Sequence, residues 1–276
     1  MPAPLPPCEY LSLDLDDYCL TVVFDRSEAR NAMNVAMADE VEAVVAAAAS
    51  RPEISVIVFR AQGRHFCAGG DLKDMTEVME PPATGAEDRL YWVNRRFGDL
   101  LTRIDSVPQV VISVVQGAAR GAGFGIACVS DVVIAHENAT FAMPETGLGL
   151  PPAQILPFVA MRLGQHEARR LALTGRPLTA ADAHRTGLVH LVCAGEAAAT
   201  AALSDLLDDI ARRGPDALAE AKRLINQVGQ VPLSLLLDRG ARLVARSSRN
   251  GEGNEGLAAF VEKRPPAWAS RADRQT

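Results

Sequence analysis

The stretch Val110-Val-Ile-Ser-Val-Val-Gln-Gly-Ala-Ala-Arg-Gly-Ala-Gly-Phe-Gly-Ile-Ala-Cys-Val129 decides the fold class. Six apolar residues, Val110 to Val115, read as a buried strand, Gly117 to Gly125 as a glycine-rich turn, and Ile126 to Val129 as the helix that follows. A strand, a glycine turn and a helix point unpaired backbone N–H groups and the positive end of a helix dipole at one place, an anion site built from main chain. A second apolar strand follows at Asp131 to Ala135, then Phe141-Ala-Met-Pro-Glu-Thr-Gly-Leu-Gly-Leu150, where Glu145 stands among apolar neighbours. Such surroundings disfavour the charged form and raise a carboxyl pKa toward values suited to proton transfer.

Each feature also has a plainer reading. A glycine turn after a strand often serves close packing alone, and a glutamate at a helix start commonly faces water. The glycines at 117, 121, 123 and 125 do not form G-x-G-x-x-G, which argues against a dinucleotide turn.

Working outward, Tyr10–Leu15 and Tyr18–Asp25 read as a hairpin, with Asp16-Asp17 between them, and Arg26–Asn34 as a polar loop. Val41, Val44, Val45 and Ala48 recur at helical spacing within Ala36–Ser50, and Pro52 closes that helix. Ile54–Arg60 is a buried strand leading to a second glycine turn, Gly63–Met75. Thr76–Glu87, rich in proline and acids, reads as a mobile loop over the site. A helix is expected from Asp88 to Ile104, another from Ala153 to Leu163, and a third from Gln165 to Leu173, closed by Gly175. Leu178–Gly187 holds a short helix capped by Thr179, and Leu188–Val192 is the last strand. Beyond Gly195 the chain is helical over 196–213, 215–228, 232–246 and 253–263, with Pro215 and Pro232 at helix starts. Alternating strands and helices followed by helices alone give an α/β core, residues 9–195, and a helical region, residues 196–276.

With 276 residues and 48% hydrophobic content, the chain is long and apolar enough to bury a sizeable core. Its net charge of −6 argues against binding along a nucleic-acid backbone. No run of about 18 apolar residues suggests a membrane span. The cysteines at 8, 19, 67, 128 and 193 are odd in number, widely spaced and without C-x-x-C, which suits a reduced compartment. The segment Met1-Pro-Ala-Pro-Leu-Pro-Pro7 lacks the basic and apolar regions of a secretory leader, so residence in the cytoplasm is expected. His65, His136, His166, His184 and His190 show no metal-ligand spacing, and no metal is expected.

Six blocks taken together carry a resemblance: Asn31-Ala-Met-Asn34, Phe66-Cys-Ala-Gly-Gly-Asp-Leu-Lys73, Gln116-Gly with Gly121-Ala-Gly123 and Asp131, Pro144-Glu145 with Leu148-Gly149, Leu173-Thr-Gly175, and Gly187-Leu-Val189. In this order they resemble the crotonase superfamily, the enoyl-CoA hydratases and isomerases. The resemblance implies a spiral of ββα turns with a C-terminal helical part that forms trimers, commonly paired into hexamers. It also implies an acyl-CoA thioester as substrate, coenzyme A entering only as part of it, with no other cofactor.

By that resemblance the thioester oxygen is held by the N–H groups of Ala68 and Ala122, the latter standing where most relatives have glycine. Ala29, Arg30 and the backbone of Ala68, Gly69, Gly70, Asp71 and Leu72 would line coenzyme A, with Lys263 or Arg264 near phosphate. A solvated helix end is the equal alternative for Lys263. Many hydratases of this family have two glutamates; here one falls on Gly125 and the other on Glu145, leaving a single carboxylate. That pattern is similar to hydratases of methylglutaconyl-CoA and isohexenylglutaconyl-CoA. The expected activity is therefore hydration of a branched, carboxylated 2-enoyl-CoA from acyclic terpene catabolism, with Glu145 handling the proton. Gln154 is a candidate for placing water or the substrate's distal group, or else a helix cap; Arg120 is a candidate partner for a distal carboxylate, or else a solvated arginine. The rival readings are a Δ3,Δ2-enoyl-CoA isomerase and a catalytically silent acyl-CoA-binding protein.

Overall fold

The hairpin comes first: β1 (Leu11–Asp16) and β2 (Cys19–Phe24) pair antiparallel, from Leu11 opposite Phe24 to Asp16 opposite Cys19. Asp17 makes the tight turn with φ of +49°. The computed structural model describes residues 4–77 and 79–269. The first three residues of the proline-rich arm, residue 78 of the expected loop and residues 270–276 of the expected helical region lie outside the described residues.

After β2 comes α1 (Val35–Ala49), whose N-terminus is capped by Asn34, its side-chain oxygen accepting from the Met37 N–H at 2.8 Å. Strand β3 (Val56–Ala61) lies parallel to β2. Two helices follow, α2 (Leu72–Glu77) and α3 (Arg89–Ser106), the second capped by Asp88. Then come β4 (Val110–Val115), β5 (Ala118–Arg120), α4 (Ala122–Val129), β6 (Val132–His136) and β7 (Thr140–Ala142). The long helix α5 (Leu156–Thr174) is broken at Gly164, with φ of +76°, so it reproduces the two helices read from the sequence. The remaining elements are β8 (Leu178–Thr179), α6 (Ala180–Arg185), β9 (Leu191–Cys193), α7 (Glu196–Ala211), α8 (Pro215–Asn226), α9 (Leu233–Asn250) and α10 (Glu252–Glu262).

The large sheet runs β1-β2-β3-β4-β6-β9, parallel beyond the hairpin, and a small sheet runs β5-β7-β8. Bridges between Met33 and Gly70 and between Cys67 and Ala119 extend the small sheet's parallel pairing backward along the chain. Each turn of the chain thus lays a long strand on the large sheet, a short one beside its predecessor, and then a helix. This is the ββα spiral that the resemblance implies.

Strand β3 shows why its residues form a continuous apolar run. Ile57 and Phe59 enter the main core with α1, α3 and α4, while Val56 and Val58 face a second core covered by α7. Leu203, Leu207 and Ile210 of α7 fill that second core, and the Tyr18 hydroxyl donates to the Leu207 carbonyl at 3.0 Å. Helix α7 therefore packs on the sheet, and α8 also reaches this core through Leu218, with its Lys222 paired to Asp131 at 2.7 Å. Among the described residues, no helix is long and apolar enough to cross a membrane.

Three expectations about elements are corrected. The last strand begins at Leu191, because the N–H groups of Leu188 and Val189 are tied to the Ala183 carbonyl of α6 and only His190 reaches β6. The turn expected over 117–125 contains β5 and the first turn of α4, since α4 begins at Ala122. The loop expected from Thr76 opens with helix, as α2 runs to Glu77.

Candidate active site

The loop Arg26–Asn34 is locked onto the turn Phe66–Asp71 by main-chain bonds. The Ala68 N–H donates to the Arg30 carbonyl at 3.1 Å, Met33 to Gly69 at 2.8 Å, and Asp71 to Met33 at 2.9 Å. Asn31, fully buried with φ of +53°, accepts from the Arg26 N–H and donates to the Gln62 and His65 carbonyls at 2.9 and 2.8 Å. Arg26 donates from one Nη to Asp71 Oδ2 at 2.7 Å and to the Ala32 carbonyl at 2.8 Å. Burial pushes the Asp71 carboxyl pKa up, but hydrogen bonds from Arg26 and the Lys73 N–H outweigh it, so the net shift is downward. Among the described hydrogen bonds, the Gly70 N–H has no acceptor in the chain.

The second turn is held the same way. Arg120 N–H donates to the Cys67 carbonyl and Gly121 N–H to the Ala142 carbonyl, at 2.9 and 3.2 Å, after which α4 starts. As the first residue of α4, Ala122 has an N–H without an intrahelical acceptor, and the described hydrogen bonds give it no other. Ala122 is not among the residues with positive φ, so alanine fits here without strain. Gly121 is different: its φ of +46° and ψ of −113° suit glycine, and a Cβ there would lie 2.9 Å from Glu145 Oε1. The same Cβ would be 3.4 Å from Gly69 Cα and 3.8 Å from Gly70 N, so both turns and the acid meet at this point.

Glu145 opens a 3-10 turn over Glu145–Leu148, with Pro144 before it. Its Oε2 is buried with no hydrogen-bond partner, and burial raises the carboxyl pKa, opposed by its own backbone N–H. The group faces a cavity of about 300 Å³ whose lining includes Gly70, Ala122, Leu72, Phe97 and Leu148. The other polar side chains of that lining are Asn94 and Gln154, joined by a bond from Gln154 Nε2 to Asn94 Oδ1 at 3.0 Å. The position beside Gly125 is filled: a Cβ there would lie 2.7 Å from Leu101 Cδ1 and 3.0 Å from Ile155 Cγ2.

The structure brings Gly69, Gly70, Leu72, Ala122, Glu145 and Gln154 together and sets other expected residues apart. The Ala68 N–H is spent on Arg30, so it is not free to hold a thioester oxygen; the free amide lies two residues on, at Gly70. Arg120 points the other way, donating to the Thr140 carbonyl at 2.9 Å and its hydroxyl at 3.0 Å, and it lines a separate polar groove with Arg64 and His136. Asp71 is engaged by Arg26 and serves the turn. Ala29 and Arg30 end a short 3-10 turn whose carbonyl at Arg30 positions Ala68. Lys263 is the exposed left-handed cap of α10, a helix that rests on α8 and α9, and it lines neither the cavity nor the groove. Asn94 was not singled out from the sequence. Gly98, buried one turn further along the same helix, was the available signal that something large approaches there.

Known proteins share this arrangement of the whole chain. An enoyl-CoA hydratase/isomerase from Marinobacter aquaeolei is 41% identical, with a TM-score of 0.92 over 95% of this chain and all of that one. Pseudomonas aeruginosa AtuE is 43% identical, with a TM-score of 0.90 over 95% of this chain and all of that one. Among sequence relatives, the 2,3-dehydroadipyl-CoA hydratase of Escherichia coli K12 is 33% identical over 253 residues, 91% of this chain and 95% of that one. The family model for enoyl-CoA hydratase/isomerase matches residues 17–271. Spiral, paired glycine turns and family match agree, and the chain belongs to the enoyl-CoA hydratase/isomerase family.

Proposed function

We propose that the chain is an enoyl-CoA hydratase, a lyase that adds water to a branched, carboxylated 2-enoyl-CoA of the isohexenylglutaconyl-CoA kind, from acyclic terpene catabolism. The observation that carries the reading is the unpaired, buried Oε2 of Glu145 at the junction of two turns whose Gly70 and Ala122 amides lack acceptors. In this mechanism Glu145 takes a proton from water as the water oxygen bonds to the β-carbon. The electron pair of the C=C bond moves toward the thioester, whose oxygen is held as an enolate by the two amides. Glu145 then returns the same proton to the α-carbon. Each such donor supplies about 3–4 kcal/mol of transition-state stabilisation. One carboxyl group suffices because it acts first as base and then as acid.

The apolar lining from Leu90, Phe97, Leu150 and Ile155 suits a branched hydrocarbon tail. A relative named for dehydroadipyl-CoA, an acyl group ending in a carboxylate, supports the carboxylated class. Coenzyme A enters as part of the substrate, and the chemistry described draws on protein groups and the thioester. Exposed apolar side chains on α9 and α10, Phe260 at 83% and Val261 at 78% among them, support a homotrimer or a hexamer made of two trimers. Five free cysteines support residence in the reducing cytoplasm.

Incubation with a panel of enoyl-CoA thioesters, including 3-carboxymethyl ones, followed by mass analysis, tests the reading. Hydration adds one water. A 3-enoyl-CoA converted without mass change would instead identify an isomerase with Glu145 as its sole base. Tight binding with no conversion would identify a silent acyl-CoA-binding protein.

A further inference from the structure

Helix α3 turns Leu90, Asn94 and Phe97 toward the cavity, and Gln154 meets Asn94 across 60 residues of sequence. The far end of the Gln154 amide is seated on Gly98: a Cβ at this position would overlap Oε1, and would lie 2.9 Å from Arg95 Nη1. A glycine in a helix interior is less favourable than alanine, and here the bare Cα makes room for the amide oxygen.

This seating decides which atoms remain for a ligand. Asn94 Oδ1 accepts from Gln154, and Gln154 Oε1 lies over the bare Cα of Gly98. Both carbonyl oxygens are therefore used or turned away. What remains is N–H: among the described hydrogen bonds, Asn94 Nδ2 has no acceptor, and Gln154 Nε2 has a second proton to give. Donors without acceptors on an apolar wall match an oxygen anion of the ligand. The nucleophilic water is the poorer match, because accepting from both amides at once would occupy both of its lone pairs and leave none to attack the β-carbon.

We infer that Asn94, braced by Gln154 and Gly98, determines substrate specificity by hydrogen-bonding the distal carboxylate of the acyl chain. The role expected of Arg120 thus falls to a neutral amide. This rests on the reading above that the substrate is a carboxylated enoyl-CoA. A neutral donor avoids placing an unpaired guanidinium in an apolar pocket, and its bonds to a carboxylate are charge-assisted.

The discriminating variant is Asn94→Asp. It keeps the acceptor oxygen that holds Gln154, removes both donors and sets a negative charge against the substrate's own. The measurement is the ratio of kcat/KM for a 3-carboxymethyl-2-enoyl-CoA to that for the 3-ethyl analogue lacking the carboxylate. In wild type the ratio exceeds one; in Asn94→Asp it falls at least about tenfold, through KM and not kcat. Gly98→Ala, which displaces Gln154, lowers the same ratio less. A wild-type ratio of one or below, or an unchanged ratio in Asn94→Asp, overturns the inference. Calorimetric titration of the matching saturated acyl-CoA pair into the same proteins reads the preference without turnover. Loss of hydration on every thioester in wild type defeats the functional reading alone, while equal calorimetric affinities in wild type and Asn94→Asp defeat the role of Asn94 alone.

Discussion

Leu101 of α3 occupies the space beside Gly125 of α4, with Leu101 Cδ1 2.7 Å from where a Cβ on the glycine would stand. Leu101 is itself buried, and Ile155 closes the other side at 3.0 Å. A second acid at position 125 is thus excluded by packing. Gly125→Ala, which would stabilise an open helix by about 1 kcal/mol, is expected to destabilise this one by about 1–2 kcal/mol. In a Leu101→Ala background the same change becomes neutral or stabilising. Urea unfolding of the four proteins in this cycle checks it, and additive effects would refute the steric account.

Gly121→Ala introduces both a strained backbone and a contact at 2.9 Å with Glu145 Oε1. Activity is expected to fall about 100-fold or more, with stability lowered by about 1–3 kcal/mol. Near-native turnover in a folded Gly121→Ala protein would show that the Glu145 position is not fixed by this contact.

Glu145→Gln keeps shape and removes the proton carrier, so hydration is expected to drop about 100- to 10,000-fold. Because burial raises the Glu145 pKa, the acid limb of kcat/KM in wild type lies above the ordinary carboxylate range. The same shift fixes the sign of a stability effect. From the ordinary glutamate value up to the raised one, the folded chain holds more protons than the unfolded chain, so stability falls as pH rises. Thermal midpoints across that window are expected to fall with pH in wild type relative to Glu145→Gln; a constant difference would contradict the buried, unpaired carboxyl.

Asn31→Ala removes three hydrogen bonds at a fully buried position with φ of +53°. It leaves the Gln62 and His65 carbonyls without that donor, and about 2–4 kcal/mol of destabilisation is expected. Because Asn31 joins the loop to the turn that carries Gly70, activity in the surviving folded fraction should also fall. Equilibrium unfolding and turnover measured on the same preparation separate the effects.

Strands and helices were legible because Val110–Val115 and Val41 to Ala48 carry clear periods, and Glu145 because its neighbours are apolar. The choice between Ala68 and Gly70 was not. Which amide in a glycine turn is consumed depends on the carbonyl opposite, here Arg30, 38 positions earlier. Arg120 was misplaced because the sequence does not say which side of a three-residue strand faces the cavity, and Thr140 of β7 lies on the other side. Asn94 required knowing that Gln154 arrives beside α3, a tertiary fact announced only by Gly98.

The register between successive layers of the spiral sets where the two free amides point. Met33 opposite Gly70 and Cys67 opposite Ala119 fix it residue by residue. One added or deleted residue inside Phe66–Gly70 or Gly117–Ala122 would slide a whole layer by about 3.3 Å and swing its amide out of reach. The spacing of these segments, more than the identity of the side chains between them, is therefore what keeps both amides aimed at one point.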